Sequence, residues 1–231
     1  MAGVGARVLG MSANRILDRH IDAANPRTRN REIPTGALSL RTAVMTALAG
    51  LALYEVACFL LGPLIVALSP IPAVVLIGYS FLKRFTPLCH FGIGLTMGLA
   101  PLGAFVATTG TTEVTREILY LSGFAFFWMS GFDIIYALLD MDFDRRYKVH
   151  SLPAALGSLG AQLVAGLSHL AAFTALVALL RSGDGGWGAM VSLTVSGGAF
   201  VAAYLPFIPI PTRFFPVSAV AGIAGALIPF F

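Results

Sequence analysis

The chain has 231 residues, 57% of them hydrophobic and only 11% charged, and its mean hydropathy is +0.84. That composition excludes a soluble globular protein. The net charge of +4 arises from basic residues lying between long apolar windows, so it reads as a membrane-topology signal and not as a nucleic-acid surface.

Residues 1–22 read as a helix, and not as a cleavable leader, although its apolar part is too short to cross a bilayer alone. Arg7, Asn14, Asp18 and Asp22 follow one another at helical spacing and can share a face. The segment AANPRTRNREIPT then turns polar, with Pro26 and Pro34 breaking any helix. Apolar spans are expected at 42–61, 62–82, 91–110, 118–139, 154–180, 187–210 and 214–231. Gly62-Pro63 marks a tight turn, and residues 110–117 and 182–186 form short polar connections. Glycines within the spans suit close helix packing in lipid. Cys58 and Cys89 lack metal spacing and read as small buried side chains. With loops too short for a soluble domain, residues 1–231 are expected to form one unit.

If the spans alternate, the loops holding Asp18–Arg41, Lys83–Arg84, Asp144–Lys148 and Arg213 share a side and carry most of the 15 basic residues. The positive-inside rule makes that side cytoplasmic. The expected location is an integral, multi-pass protein of a bacterial inner membrane with its working end facing the cytoplasm.

Acids in so apolar a chain are functional candidates, because charge at a membrane is costly. In DIIYALLDMDFDRRYKVHS, residues 133–151, helical spacing sets Asp133, Tyr136, Asp140 and Asp144 on one face and turns Asp142 away. Neighbouring carboxylates repel unless a positive group lies between them, and a divalent cation is the simplest one. A second cluster, Asn14-x-x-x-Asp18-x-x-x-Asp22, repeats the D-x-x-x-D theme at a helix end followed by basic residues. Hard oxygen ligands interleaved with Arg and Lys suit Mg²⁺ and a diphosphate. The competing reading is surface ion pairing with Arg15, Arg19, Arg145 and Arg146. His20, His90 and His150 have no metal-ligand spacing and are given no role, and His169 reads as a hydrogen-bonded packing residue.

The stretches NRILDRHIDAANPRTRNREIPTG and DIIYALLDMDFDRRYKVHS resemble the two signature motifs of the UbiA superfamily of intramembrane aromatic prenyltransferases. YSFLKRFT, from Tyr79 to Thr86, is similar to that family's Y-x-x-x-K loop. The resemblance implies an all-α, polytopic transmembrane bundle around a cavity open to lipid. It implies that Asn14, Asp18, Asp22, Asp140 and Asp144 hold Mg²⁺ and a polyprenyl diphosphate. It further implies that Tyr79, Lys83 and Arg84 lie over the diphosphate or the aromatic acid acceptor. Arg7, Arg31 and Lys148 become candidate anion contacts and Tyr136 a candidate substrate contact. Asp133 would orient Tyr136 or Lys148, accept the ring proton, or serve as a buried structural acid. The implied reaction ionises an allylic diphosphate, and an electron-rich ring then attacks the cation and loses a proton. Phe124, Phe126, Phe127 and Trp128 would either line an apolar wall for the isoprenoid or simply pack.

The first motif also resembles the haem farnesyl-transferring branch, which lacks the second D-x-x-x-D present here. GFDIIYALLDMDFDRRYKVHSLP is more like the 4-hydroxybenzoate-type enzymes, and its His150–Pro153 ending resembles those of the futalosine route to menaquinone. A non-enzymatic transporter is a further alternative, although it would carry its acids near mid-membrane. Membrane alcohol phosphotransferases need a D-x-x-D-G-x-x-A-R pattern that is absent. Set against the family, the N-terminal helix and part of the second are expected to be missing ahead of Asn14, from a late start of the reading frame or in a defective copy.

Overall fold

The structure, a computed structural model, describes residues 1–183 and 185–231, so Asp184 in the expected 182–186 connection lies outside the described residues. Those residues are helical, with no strand among them, and divide into two compact units, Met1–Cys89 and His90–Phe231.

In the first unit, α1 (Ala2–Ala24) packs on α2 (Leu40–Leu61), and α3 (Pro63–Leu82) returns beside them. The backbones of α1 and α2 approach closely because Gly5 and Gly50 face each other. A Cβ on Gly5 would sit 2.6 Å from the Tyr54 backbone nitrogen. Leu9, Tyr54, Cys58 and Ala73 fill the space alongside. α1 ends at Asn25, whose backbone is extended because Pro26 follows. Thr28, buried in the next turn, donates its hydroxyl to the Asp22 carbonyl, one of the acceptors a helix end leaves over. Gly62, at φ +115°, makes the turn into α3, where Pro63 takes the first helical position. α3 is interrupted at Ser69, because Pro70 has no N–H to offer the Val66 carbonyl. The Ser69 hydroxyl covers that carbonyl at 3.0 Å or turns to Glu55 at 2.8 Å. Tyr54 donates its hydroxyl to the Ser69 carbonyl. Polar backbone exposed by a break at membrane depth is thereby paired inside the protein.

The second unit holds α4 (Cys89–Thr109), α5 (Arg116–Tyr147), α6 (Leu152–Ser182), α7 (Trp187–Ala202) and α8 (Ile210–Phe230). α5 packs on α6 around Phe132, Ile135, Ala161, Ala165 and Leu176, and α7 packs on α8. Gly94 on α4 lies against Ser130 and the Phe126 carbonyl, leaving no room for a larger residue. Trp128 covers Gly222 and donates its indole N–H to the Ser218 carbonyl, and Phe124 is buried and stacks on it. Both therefore pack within the unit. His169 is the packing residue expected: it hydrogen-bonds Tyr204 at 2.9 Å and stacks on Phe132 and Phe200.

Two expectations are corrected. The span predicted at 187–210 stops at Ala202, and Pro206 and Pro209 hold the following segment out of helical hydrogen bonding. Arg213, buried in a π-helical turn at Arg213–Val217, closes that segment by donating to the Leu205 and Ile208 carbonyls. α5 is not a uniform α-helix through the acidic motif, because it tightens into a 3₁₀ turn at Leu138–Asp140. The simple 3.6-residue face through Asp133, Asp140 and Asp144 is therefore twisted.

Among the described residues six helices, α2 to α6 and α8, are long and apolar enough to cross a membrane. Their outer faces carry exposed apolar side chains such as Phe59, Leu159, Leu163 and Leu167. The chain is an integral, multi-pass, all-helical membrane protein.

Candidate active site

In the first unit the acids of α1 are met by α3 and by the turn after α1. Asp18 is 1% exposed, and its Oδ2 pairs with the Lys83 ammonium at 2.6 Å and accepts from the Asn14 amide at 2.8 Å. The Asn14 amide also reaches the buried Ser80 hydroxyl at 3.1 Å. Asp18 Oδ1 is buried with no partner among the described residues. Burial pushes the Asp18 carboxyl above the usual carboxylate range, against the pull of Lys83. One turn on, Asp22 takes both its oxygens to the Arg31 guanidinium, at 2.7 and 2.8 Å. The buried Thr28 fixes the backbone between these two partners.

Asn14, Asp18 and Lys83 are thus brought into one trio, and Asp22 and Arg31 into a pair one turn on. The arginines next to the acids in sequence do other work: Arg19 donates to the Ile16 carbonyl, and Arg15 keeps a buried Nη1 without a partner. Arg84 has a structural contact. Its Nη2 donates to the Leu17 carbonyl at 2.6 Å, and its guanidinium lies over the Phe81 ring. Arg7 is exposed on α1 and Tyr79 is half-buried on α3, next to Ser80. Because a lysine cannot reproduce a planar fork, Arg84→Lys should lower stability by about 1–2 kcal/mol, read as a drop in the thermal midpoint of the detergent-solubilised protein.

In the second unit Asp144 is buried and accepts the Ser151 hydroxyl at 2.7 Å. Asp140 is half-buried in the 3₁₀ turn, and Asp142 is exposed, as its spacing predicts. The short helix carrying Asp144 ends at Lys148, an exposed residue in left-handed conformation at φ +55°. Arg145 donates to the Ala154 carbonyl at the start of α6, and Arg146 to the Asp142 carbonyl. Tyr136 stacks on Phe214 at 4.2 Å, supported by the π-helical turn of α8. Asp133 Oδ2 lies 2.7 Å from Nδ1 of His90.

Sequence reading missed Ser80, Thr28, Ser151 and His90. The serines and threonine lie inside the motif stretches but have no diagnostic side-chain chemistry of their own, and His90 sits 43 positions from Asp133, so local spacing could not couple them.

The donor set fits a hard divalent cation. Asp18 Oδ1 is a buried oxygen lacking a partner, and asparagine and aspartate oxygens are the ligands Mg²⁺ takes. No three-residue His, Cys, Asp or Glu cluster with metal-holding geometry occurs among the described residues, so such an ion would also need oxygens from substrate or water.

The profile of the UbiA prenyltransferase family matches residues 1–211. The 4-hydroxybenzoate octaprenyltransferase of Nitrosomonas eutropha is 34% identical over 190 residues, which is 80% of this chain and 65% of that protein. The protein of the same description from Shewanella sp. is 31% identical over 181 residues, 78% of this chain and 62% of its own length. The chain thus spans a little under two thirds of the curated relatives it matches. The apo structure of a UbiA homolog from Aeropyrum pernix K1 superposes with a TM-score of 0.85 at 30% identity, over 99% of this chain and 85% of that one. A solved structure of digeranylgeranylglyceryl phosphate synthase shares the fold, with a TM-score of 0.61 at 19% identity over 98% of this chain and 77% of that one. The chain belongs to the UbiA prenyltransferase family.

Proposed function

We propose that this chain transfers a polyprenyl group from polyprenyl diphosphate to a 4-hydroxybenzoate-type aromatic acid in ubiquinone or menaquinone biosynthesis, with Mg²⁺, at the cytoplasmic face of the membrane. The observation that carries the reading is the buried Asp18, paired with Lys83 through one oxygen and left with the other uncommitted. A carboxylate in that condition is matched to a cation and an anionic substrate arriving together. The 4-hydroxybenzoate octaprenyltransferases among the relatives suggest the acceptor class.

Asn14, Asp18 and Asp22 would serve as ion ligands in the first unit, and Asp140 and Asp144 would do so in the second. When bound, Mg²⁺ supplies positive charge that holds the diphosphate and stabilises it as it leaves. Lys83 and Arg31 exchange their present carboxylate partners for diphosphate oxygens, with Lys148 and Arg7 as further anion contacts. Tyr79 and Arg84 border the same substrate end, and Tyr136 presents an aromatic face to the acceptor. The allylic C–O bond breaks with its electron pair going to the diphosphate. The acceptor ring carbon then bonds the allylic cation, and the proton on that carbon goes to Asp133, restoring the aromatic ring. Apolar walls keep water from the cation.

The test uses membranes containing the chain, 4-hydroxybenzoate, octaprenyl diphosphate and MgCl₂. Prenylated acid should form, vanish with EDTA and return with excess Mg²⁺. Product that survives chelation removes the metal from the reading, and no product from any hydroxylated aromatic acid removes the reading itself.

A further inference from the structure

His90 stands outside both family motifs, yet it links Asp133, at the start of the second one, to Leu152, the residue just after its end. It is the second residue of α4 and its side chain is 4% exposed. Nδ1 lies 2.7 Å from Asp133 Oδ2, and Nε2 lies 3.3 Å from the backbone nitrogen of Leu152. Leu152 opens α6, so its amide is one of those a helix start leaves without an internal partner. An amide N–H can only donate. Nε2 must therefore be the bare, accepting nitrogen, which leaves the ring neutral with its proton on Nδ1, donated to Asp133. The residue before Leu152 is Ser151, which caps the same helix start and donates to Asp144 Oδ2 at 2.7 Å. A chain of contacts thus runs Asp144, Ser151, Leu152, His90, Asp133, all within one compact unit. It fixes Asp133 relative to Asp144 even though the helix between them is twisted by the 3₁₀ turn.

We infer that His90 is a positioning residue: a neutral, Nδ1-protonated imidazole, anchored on the first amide of α6, that holds the Asp133 carboxylate aimed at the start of the second acidic motif. This rests on the prenyl-transfer reading and adds the device that keeps its proton acceptor ready. His90 cannot itself be the base, because its only lone pair on a ring nitrogen is occupied by the Leu152 amide. Asp133 can be, because one oxygen is committed to His90 while its side chain remains 26% exposed.

The test compares His90→Leu, which keeps bulk and loses both hydrogen bonds, with His90→Asn, whose side-chain amide can restore the donor to Asp133. In the membrane assay, His90→Leu should lower kcat about 10- to 100-fold, the range in which a misplaced catalytic group is felt. KM for polyprenyl diphosphate should stay unchanged, and His90→Asn should recover most of kcat. An unchanged kcat in His90→Leu, or an Asn variant as slow as the Leu variant, overturns the inference while the wild-type activity stands. Absence of product from the unaltered chain overturns the prenyl-transfer reading and the task assigned to His90 with it. Independently of activity, ¹⁵N spectra of histidine-labelled protein, assigned through His90→Asn, should show a neutral Nδ1–H ring at His90. An imidazolium or an Nε2–H ring overturns the assignment.

Discussion

Asp18→Asn is expected to reduce prenyl transfer by about 100- to 1,000-fold, the cost of removing one group that stabilises developing charge. The same change should also weaken the fold, and the two effects have different origins. Asp18 is the counter-charge of Lys83 at 2.6 Å. Breaking a buried pair by removing one partner costs about 3–5 kcal/mol. Lys83 keeps 24% of its side chain exposed, so water recovers part of that and about 1–3 kcal/mol is expected. The double variant Asp18→Asn with Lys83→Met removes the stranded ammonium. Its thermal midpoint should climb back toward that of the unaltered chain while its turnover stays lost. Turnover that returns with the midpoint would mean that Asp18 serves only as an ion-pair partner and that the cation reading of this cluster is wrong.

Asp18 is also where sequence reading reached furthest. Its place on a helix face with Asn14 and Asp22 follows from spacing alone, and the structure keeps the three on α1. The spans were legible for a similar reason, since apolar runs bounded by Gly62-Pro63 or by polar connections leave few other solutions in a bilayer. Hydropathy failed at Pro206 and Pro209, because it weighs apolar surface and takes no account of missing N–H donors. The period argument failed at Leu138–Asp140, because a 3₁₀ turn advances about 120° per residue, not 100°. Pairings were the least legible feature. Asp22 and Arg31 meet across a turn organised by Thr28, and His90 meets Asp133 only when α4 packs beside α5. Arg84 carries a contact that no motif spells out: its guanidinium supports the Leu17 carbonyl on α1. Composition and spacing identify which groups are unusual; tertiary packing decides which of them answer one another.

The close approach of α1 and α2 makes the second large prediction. Gly5→Ala should destabilise the protein by about 2–3 kcal/mol or more, as overpacking of a closed interface does, whereas Gly3→Ala should be neutral or stabilising by up to about 1 kcal/mol through helix propensity. The contrast lies in what each new methyl would meet. At Gly3 nothing lies within 4 Å. At Gly5 the methyl would find the Tyr54 nitrogen at 2.6 Å, the Gly50 oxygen at 2.8 Å and the Tyr54 Cα at 2.9 Å. These are backbone atoms of a packed helix, so no rotamer change relieves the clash and α1 itself has to shift on α2. A Cβ on Gly50 would likewise meet the Leu9 nitrogen and the Val8 side chain at 2.8 Å, so α2 has no slack on its side of the seam either. Small residues allow this approach, and packing at such seams is a main source of helix association in lipid. α1 carries Asn14, Asp18 and Asp22, so a shift at Gly5 would pull Asp18 from Lys83 and Asn14 from Ser80. Gly5→Ala should therefore lose turnover along with thermal midpoint, and Gly3→Ala should lose neither. Equal midpoints for the two variants in detergent would refute the glycine seam as the feature that sets α1.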